Sequence, residues 1–226
     1  MKDVFILHLE TSTKVCSVAL SKNGKLLKLK EINEDSFSHG EKLTVFIEEV
    51  MKKANLAFEN LAGVSIASGP GSYTGLRIGA STAKGLCYAL NIPFLAIDAL
   101  ESLAQIARKK YPDKNICPMI DARRMEVYSA IYSPKMEVLK KISADILDES
   151  IYIEYENLVC LGDGMPKAKE IWLGREIVFD NEILCSASGQ VERIYQKYTN
   201  KEFEDLAYFE PFYLKDFIGS AKKNPV

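Results

Sequence analysis

Residues Ala67–Gly79 read A-S-G-P-G-S-Y-T-G-L-R-I-G, and this run joins a short apolar stretch, Gly63–Ala67, to a helical pattern that continues to Leu90. Gly69 and Gly71 permit positive φ or a close backbone approach, and Pro70 stiffens the turn between them. Ser72 or Thr74 can cap the helix. A strand that turns this sharply into a helix aims free N–H groups into the crevice at the strand end, ready for an anion or for a partner's acceptor. The run is neither a P-loop nor G-x-G-x-x-G, and a ligand-free tight turn reads it equally well.

Outward from this turn the elements repeat. Val4–Leu9 and Cys16–Leu20 are β-rich, and Asn23-Gly24 makes a hairpin into a third run, Lys25–Glu31. Ser38-His39-Gly40-Glu41 reads as a capping box for a helix over 42–54, with Leu43, Phe46, Ile47, Val50 and Met51 on an apolar stripe. Strand 63–67, helix 72–90, strand 94–97 and a helix capped by Asp98 complete βββαβαβα. The second half gives the same order: strand Ile116–Ile120, a hairpin of Glu126–Tyr132 with Glu137–Ile142, a helix around Ala144–Ser150, strand Val159–Leu161 and a Gly162-Asp163-Gly164 turn. A helix begun by Pro166, strand Ile177–Phe179 and helix Ser188–Tyr198 follow. We therefore expect an α/β protein of two duplicated lobes, 1–110 and 111–226, on the ribonuclease-H-like plan of actin-like ATPases, with a loose tail at Lys222–Val226. In that plan the turns after the first strand of each lobe, Glu10–Thr13 and Asp121–Arg124, face a nucleotide.

Composition narrows the function. With 29 basic and 31 acidic residues and a net charge of -2, the chain is poorly suited to holding nucleic acid by charge alone. No apolar run approaches membrane-spanning length, and Met1-Lys2-Asp3 leads straight into a strand, so we expect a cytoplasmic protein with no membrane partner. Cys16, Cys87, Cys117, Cys160 and Cys185 form no C-x-x-C pair and read as reduced, buried hydrophobes. Only His8 and His39 are present, so no metal site is expected. Ser12, Ser72, Thr74 and His39 lack a G-x-S-x-G elbow, which argues against a hydrolase.

Four segments together, I-L-H-L-E-T-S-T (6–13), S-G-P-G-S-Y-T-G-L-R-I-G (68–79), I-D-A-R-R-M-E-V-Y (120–128) and G-D-G (162–164), resemble the bacterial TsaB (YeaZ) family over nearly the whole chain. The resemblance implies two actin-like lobes and a non-catalytic role in forming threonylcarbamoyladenosine (t6A) at N6 of adenosine 37 in tRNA. It implies pairing with the paralogous catalytic subunit TsaD, with the ATPase TsaE, and with a second copy of the chain when alone. tRNA would be held only through the assembled complex, and ATP or ADP would belong to that complex. TsaD carries an H-x-x-x-H metal pair where this chain has Ala99 and Leu103. Glu10 stands where the family usually has Asp, keeping the carboxylate on a longer arm.

Three groups of residues are candidates. Gly75, Gly79 and Ala83 form a small-residue stripe on helix 72–90, and with Leu43, Phe46, Ile47 and Val50 they suit a helix-to-helix partner interface. Thr11, Ser12, Thr13, Arg123, Gly162, Asp163 and Gly164 could face a nucleotide. Asp121, Arg123, Arg124 and Glu126 could clamp a phosphate or simply pair within a hairpin turn, and their bulk favours the second. The alternative function is a small actin-like ATPase or phosphotransferase working in its own interlobe cleft; a purely structural homodimer is the third.

Overall fold

Period-two alternation and the Asn23-Gly24 turn produce an antiparallel meander of β1 (Phe5–Glu10), β2 (Val15–Lys22) and β3 (Lys25–Asn33). The computed structural model describes residues 3–34 and 39–215. Helix α1 (His39–Lys53) follows, then β4 (Leu61–Ala67), α2 (Tyr73–Leu90), β5 (Phe94–Ile97) and α3 (Ala99–Lys110). Strands β4 and β5 join the meander in parallel, giving the order β3-β2-β1-β4-β5. The second half builds β6 (Asn115–Asp121), β7 (Glu126–Tyr132), β8 (Val138–Ile146), β9 (Leu158–Leu161), α4 (Met165–Ile171), β10 (Val178–Asp180) and α5 (Val191–Thr199). Its sheet runs β10-β9-β6-β7-β8, which is the first order read from the other edge. Two sheets with one connectivity bear out the duplicated α/β plan.

The two halves differ at one element. The helix expected around Ala144–Ser150 does not form. Its first residues extend β8, where Tyr128 and Val127 of β7 pair with Ala144 and Asp145. The rest makes turns pinned by Asp148, whose Oδ1 accepts from the N–H groups of Ser150 and Ile151. Lys140 explains the preference for strand: its ammonium reaches the Asp145 carboxylate at 2.8 Å, and the Tyr152 hydroxyl donates to the same oxygen at 2.6 Å. Ser38 of the expected capping box and the Lys222–Val226 tail lie outside the described residues.

The lobes exchange their last helices. α3 packs Leu100, Leu103, Ala104 and Ala107 on Ile116, Ile120 and Ala130 of the second sheet. α5 lays Ile194 against Ile6, Leu95 and Ile97 of the first. The other face of the first sheet is closed by α1 and α2 through Leu43, Phe46, Val50, Ala83 and Cys87. Chain length permits the last excursion: residues beyond α5 run back over the first lobe, where Phe209 meets Phe94 edge-on at 4.8 Å.

The face of β1 toward α5 carries two buried titratable groups. His8 bonds Ser65 Oγ at 2.7 Å and Ser21 Oγ at 2.8 Å; Ser65 passes the chain on to Gln190, which donates to the Leu9 carbonyl. Burial lowers the His8 pKa to about 3. Two residues on, burial raises Glu10 to about 7, chiefly because its charge would be desolvated. The signs oppose. Unfolded His8 binds a proton below about 6.5 that the folded chain refuses, so its contribution is lost as pH falls from there toward 3. Folded Glu10 keeps a proton that the unfolded chain releases above about 4.5, so its contribution is lost as pH rises from there toward 7. Chemical unfolding across pH should therefore show His8→Gln gaining on the wild type by about 1.4 kcal/mol per pH unit below 6.5, and Glu10→Gln gaining at a similar rate above 4.5. Differences that do not vary with pH would refute both assignments.

Candidate functional site

The turn after β1, where the sequence reading expects a nucleotide, is filled by the chain itself. Thr11, Ser12 and Thr13 are buried. The Ser72 N–H, first of the free donors at the head of α2, bonds the Ser12 carbonyl at 2.6 Å, and Ser72 Oγ caps Gly75 N. A Cβ on Gly71 would overlap the Ser12 carbonyl oxygen, one on Gly75 the Thr11 carbonyl, and one on Gly79 the Thr11 hydroxyl. Glycine is required at these places so that two backbones can touch. His39 seals the outer side, its Nε2 lying 2.8 Å from the Thr13 carbonyl.

This geometry corrects the expected interface. Gly75, Gly79 and Ala83 are buried and turned inward, onto the Thr11 turn and the first core, and Leu43, Phe46, Ile47 and Val50 are buried in that same core. The stripe was phased one helix face away from the surface. The outward face of α2 includes Thr74, Ser81, Gly85 and Tyr88, whereas Ile78 is half-buried against the first core; Val45 of α1 is exposed as well. Tyr88 is 82% exposed and Val45 48%, and a Cβ on Gly85 would meet nothing within 4 Å.

On the second lobe, Gly162 and Gly164 hug β6, with the Gly164 N–H on the Met119 carbonyl at 3.1 Å. Asp163 points toward the crevice; its Oδ1 accepts from Asp121 N, and burial raises its pKa to about 6. The Asp163 charge adds a small upward push to the Glu10 pKa. Glu10 Oε1 accepts from the N–H and hydroxyl of Ser12, whereas its buried Oε2 has no hydrogen-bond partner. The Cys185 thiol is buried, which pushes its pKa well up. Of the residues expected to face a nucleotide, Thr11, Ser12, Thr13 and Asp163 do converge, though on each other, while Arg123 is exposed at the crevice mouth.

Asp121 is held by Lys167 at 2.6 Å and accepts from the Arg123 N–H. Arg123 and Arg124 stand in the left-handed region at φ 70° and 51°. That conformation costs roughly 1–2 kcal/mol for a residue bearing a Cβ. Sequence reading missed the segment after α5. It crosses the head of α2, where the Phe212 N–H bonds the Ser68 carbonyl at 2.8 Å, and ends with Lys215 paired to Glu126 of β7. The aromatic run Tyr208–Tyr213 was the available signal. No group of His, Cys, Asp and Glu residues among those described has the arrangement to hold a metal ion, and no described helix is long and apolar enough to cross a membrane.

The inward stripe sets a sharp contrast. Gly75→Ala should lower stability by about 1–3 kcal/mol through overpacking on Thr11. Gly85→Ala should raise it by about 1 kcal/mol, since the site is helical and open. Urea titration of the two variants checks both, and equal effects would overturn the inward assignment.

The comparisons with known proteins follow this geometry. Residues 33–220 match the family model described as TsaD: tRNA N6-adenosine threonylcarbamoyltransferase. The tRNA threonylcarbamoyladenosine biosynthesis protein TsaB of Haemophilus influenzae is 27% identical, with 96% of each chain covered. The TsaB of Buchnera aphidicola (from Acyrthosiphon pisum) is 30% identical over 74% of this chain and 86% of its own. Among solved structures, YeaZ from Pseudomonas aeruginosa superposes with a TM-score of 0.81 at 25% identity, covering 93% of this chain and 100% of that one. Duplicated sheets of one connectivity, the glycine turn seated on the residue 11–13 loop, and these full-length likenesses place the chain in the TsaB (YeaZ) family, within the wider TsaD-like group of actin-like folds.

Proposed function

We propose that this chain is a non-catalytic subunit of the assembly that transfers a threonylcarbamoyl group to tRNA in t6A biosynthesis, pairing with a TsaD-type catalytic paralogue and working with a TsaE-type ATPase. The observation that carries this reading is the self-filled crevice. The helix-head N–H of Ser72, which a phosphate would need, is spent on the Ser12 carbonyl, and the Cys185 thiol lies against Ser12 and Thr13. On this reading the expected ligand position is closed by the first lobe's own backbone. Nucleotide and metal belong, on this reading, to the partners, and the pairing function belongs to the surface.

That surface is the outward strip of α2 beside Val45. Thr74, Ser81 and Gly85 are small, so a partner helix can approach closely, and Tyr88 supplies apolar area. The paralogue shares the fold, so its corresponding helix pair can meet this one face to face, and a second copy can do so when the paralogue is absent. A stable pairing buries more than about 1,000 Å² in total.

Gly85→Trp tests the surface without touching the core. Sedimentation should show pairing with the catalytic paralogue weakened by about tenfold or more, with a melting temperature no lower than that of the wild type. Pairing at wild-type strength would remove the strip from consideration. Transfer of the threonylcarbamoyl group should require the paralogue; turnover by this chain alone, above a no-protein control, would contradict the non-catalytic role.

A further inference from the structure

The β6–β7 turn and the segment after α5 meet at the mouth of the crevice. Arg123, Arg124 and Met125 form a three-residue loop closed by Ala122 N to the Glu126 carbonyl. Both arginines hold left-handed backbone angles. The β2–β3 loop of the same chain meets that demand with Asn23 and Gly24, the residues such turns favour. Arginines kept at strained positions point to a use for their guanidinium groups, and neither is in an ion pair among the described residues.

An aromatic platform lies beside them. The Tyr73 and Tyr213 rings are 4.9 Å apart, tilted by 41°. The Arg77 guanidinium sits 4.1 Å from the Tyr73 centroid and donates from Nε to the Tyr213 hydroxyl. Two residues on, Lys215 pairs with Glu126, and both Lys215 and Arg123 act on the Tyr128 phenol, so turn and platform form one band. Five cations (Arg77, Arg123, Arg124, Lys167, Lys215) stand among three carboxylates (Asp121, Glu126, Glu210), with Asp121 paired to Lys167 and Glu126 to Lys215, in a chain whose net charge is -2.

We propose that this band is a contact surface for single-stranded RNA, with phosphates on Arg123 and Arg124 and an unstacked base on the Tyr73–Tyr213 platform. The planar guanidinium fork matches a phosphate in two-point contact. The Arg77 guanidinium lies over the Tyr73 ring, so the planes offered to a base are that guanidinium and the Tyr213 ring, both of them surfaces that single-strand readers use. The proposal deepens the t6A reading and rests on it, because a tRNA loop is the RNA such an assembly handles. The band adds a few contacts to those of the partners; it does not supply tight binding by itself.

Fluorescence anisotropy with the full chain and a labelled RNA hairpin carrying a single-stranded loop tests this at low salt and across a salt series. Arg123→Asn combined with Arg124→Gly keeps the turn, relieves its strain and removes both guanidinium groups. It should weaken binding and reduce the slope of log K against log salt by about 1.4, at about 0.7 per phosphate contact. Arg124→Gly alone should carry half that change. Tyr213→Ala should weaken hairpin binding by about fivefold or more with the slope unchanged, and leave a blunt RNA duplex unaffected. Four results would overturn the proposal: no hairpin binding by the wild type at low salt, an unchanged slope in the arginine variants, equal loss on duplex, or equal affinity for a polyglutamate peptide. Sedimentation of the same variants with the catalytic paralogue reads the pairing proposal separately, since neither arginine nor Tyr213 lies on the outward strip of α2.

Discussion

Two backbones in contact govern this molecule. The turn 11–13 and the head of α2 touch through the bond from Ser72 N to the Ser12 carbonyl, and no side chain intervenes because Gly71, Gly75 and Gly79 have none. That contact fixes where β1 ends and how α2 leaves β4. It also sets which face of α2 turns inward. Cys185 and Asp163 then close on the same turn from the other lobe. In a fold that ordinarily opens a crevice at this place, the glycine run serves internal closure.

Much of this plan was legible in the residues. Strong local signals, Asn23-Gly24, Asp98 ahead of α3, and the period-two runs of β1 and β7, gave elements that the structure contains. Ala144–Ser150 was not legible, because a weak helical pattern lost to a long-range ion pair between Lys140 and Asp145 that no local window contains. The phase of the small-residue stripe failed for a related reason. Glycine at 75, 79 and alanine at 83 announces close packing without saying against what, and the partner proved to be Thr11, more than sixty residues earlier.

The second lobe departs from the first where a helix is replaced by turns pinned on Asp148 and Trp172, whose indole N–H bonds the Asp148 carbonyl at 2.7 Å. Its hydrophobic layer is correspondingly thinner, with Tyr152, Trp172 and the short α4 covering what α1 and α2 cover in the first lobe. The lobe that keeps both long helices is therefore the one with helical surface to offer, and the lobe that lost one presents edges and turns instead. Duplication supplied two similar units, and unequal covering gave them unequal roles.

The exchange of terminal helices bears on how the chain is made. A nascent chain that has emerged as far as Cys185 has every strand of both sheets, yet Ile6, Leu95 and Ile97 still face water, because Ile194 has not been synthesised. The second lobe can close in order of translation, because α3 precedes the sheet it covers, but the first cannot. Its greasy flank stays open to other nascent chains until α5 has been made. A chain cut short before α5 leaves an uncovered sheet instead of a usable half.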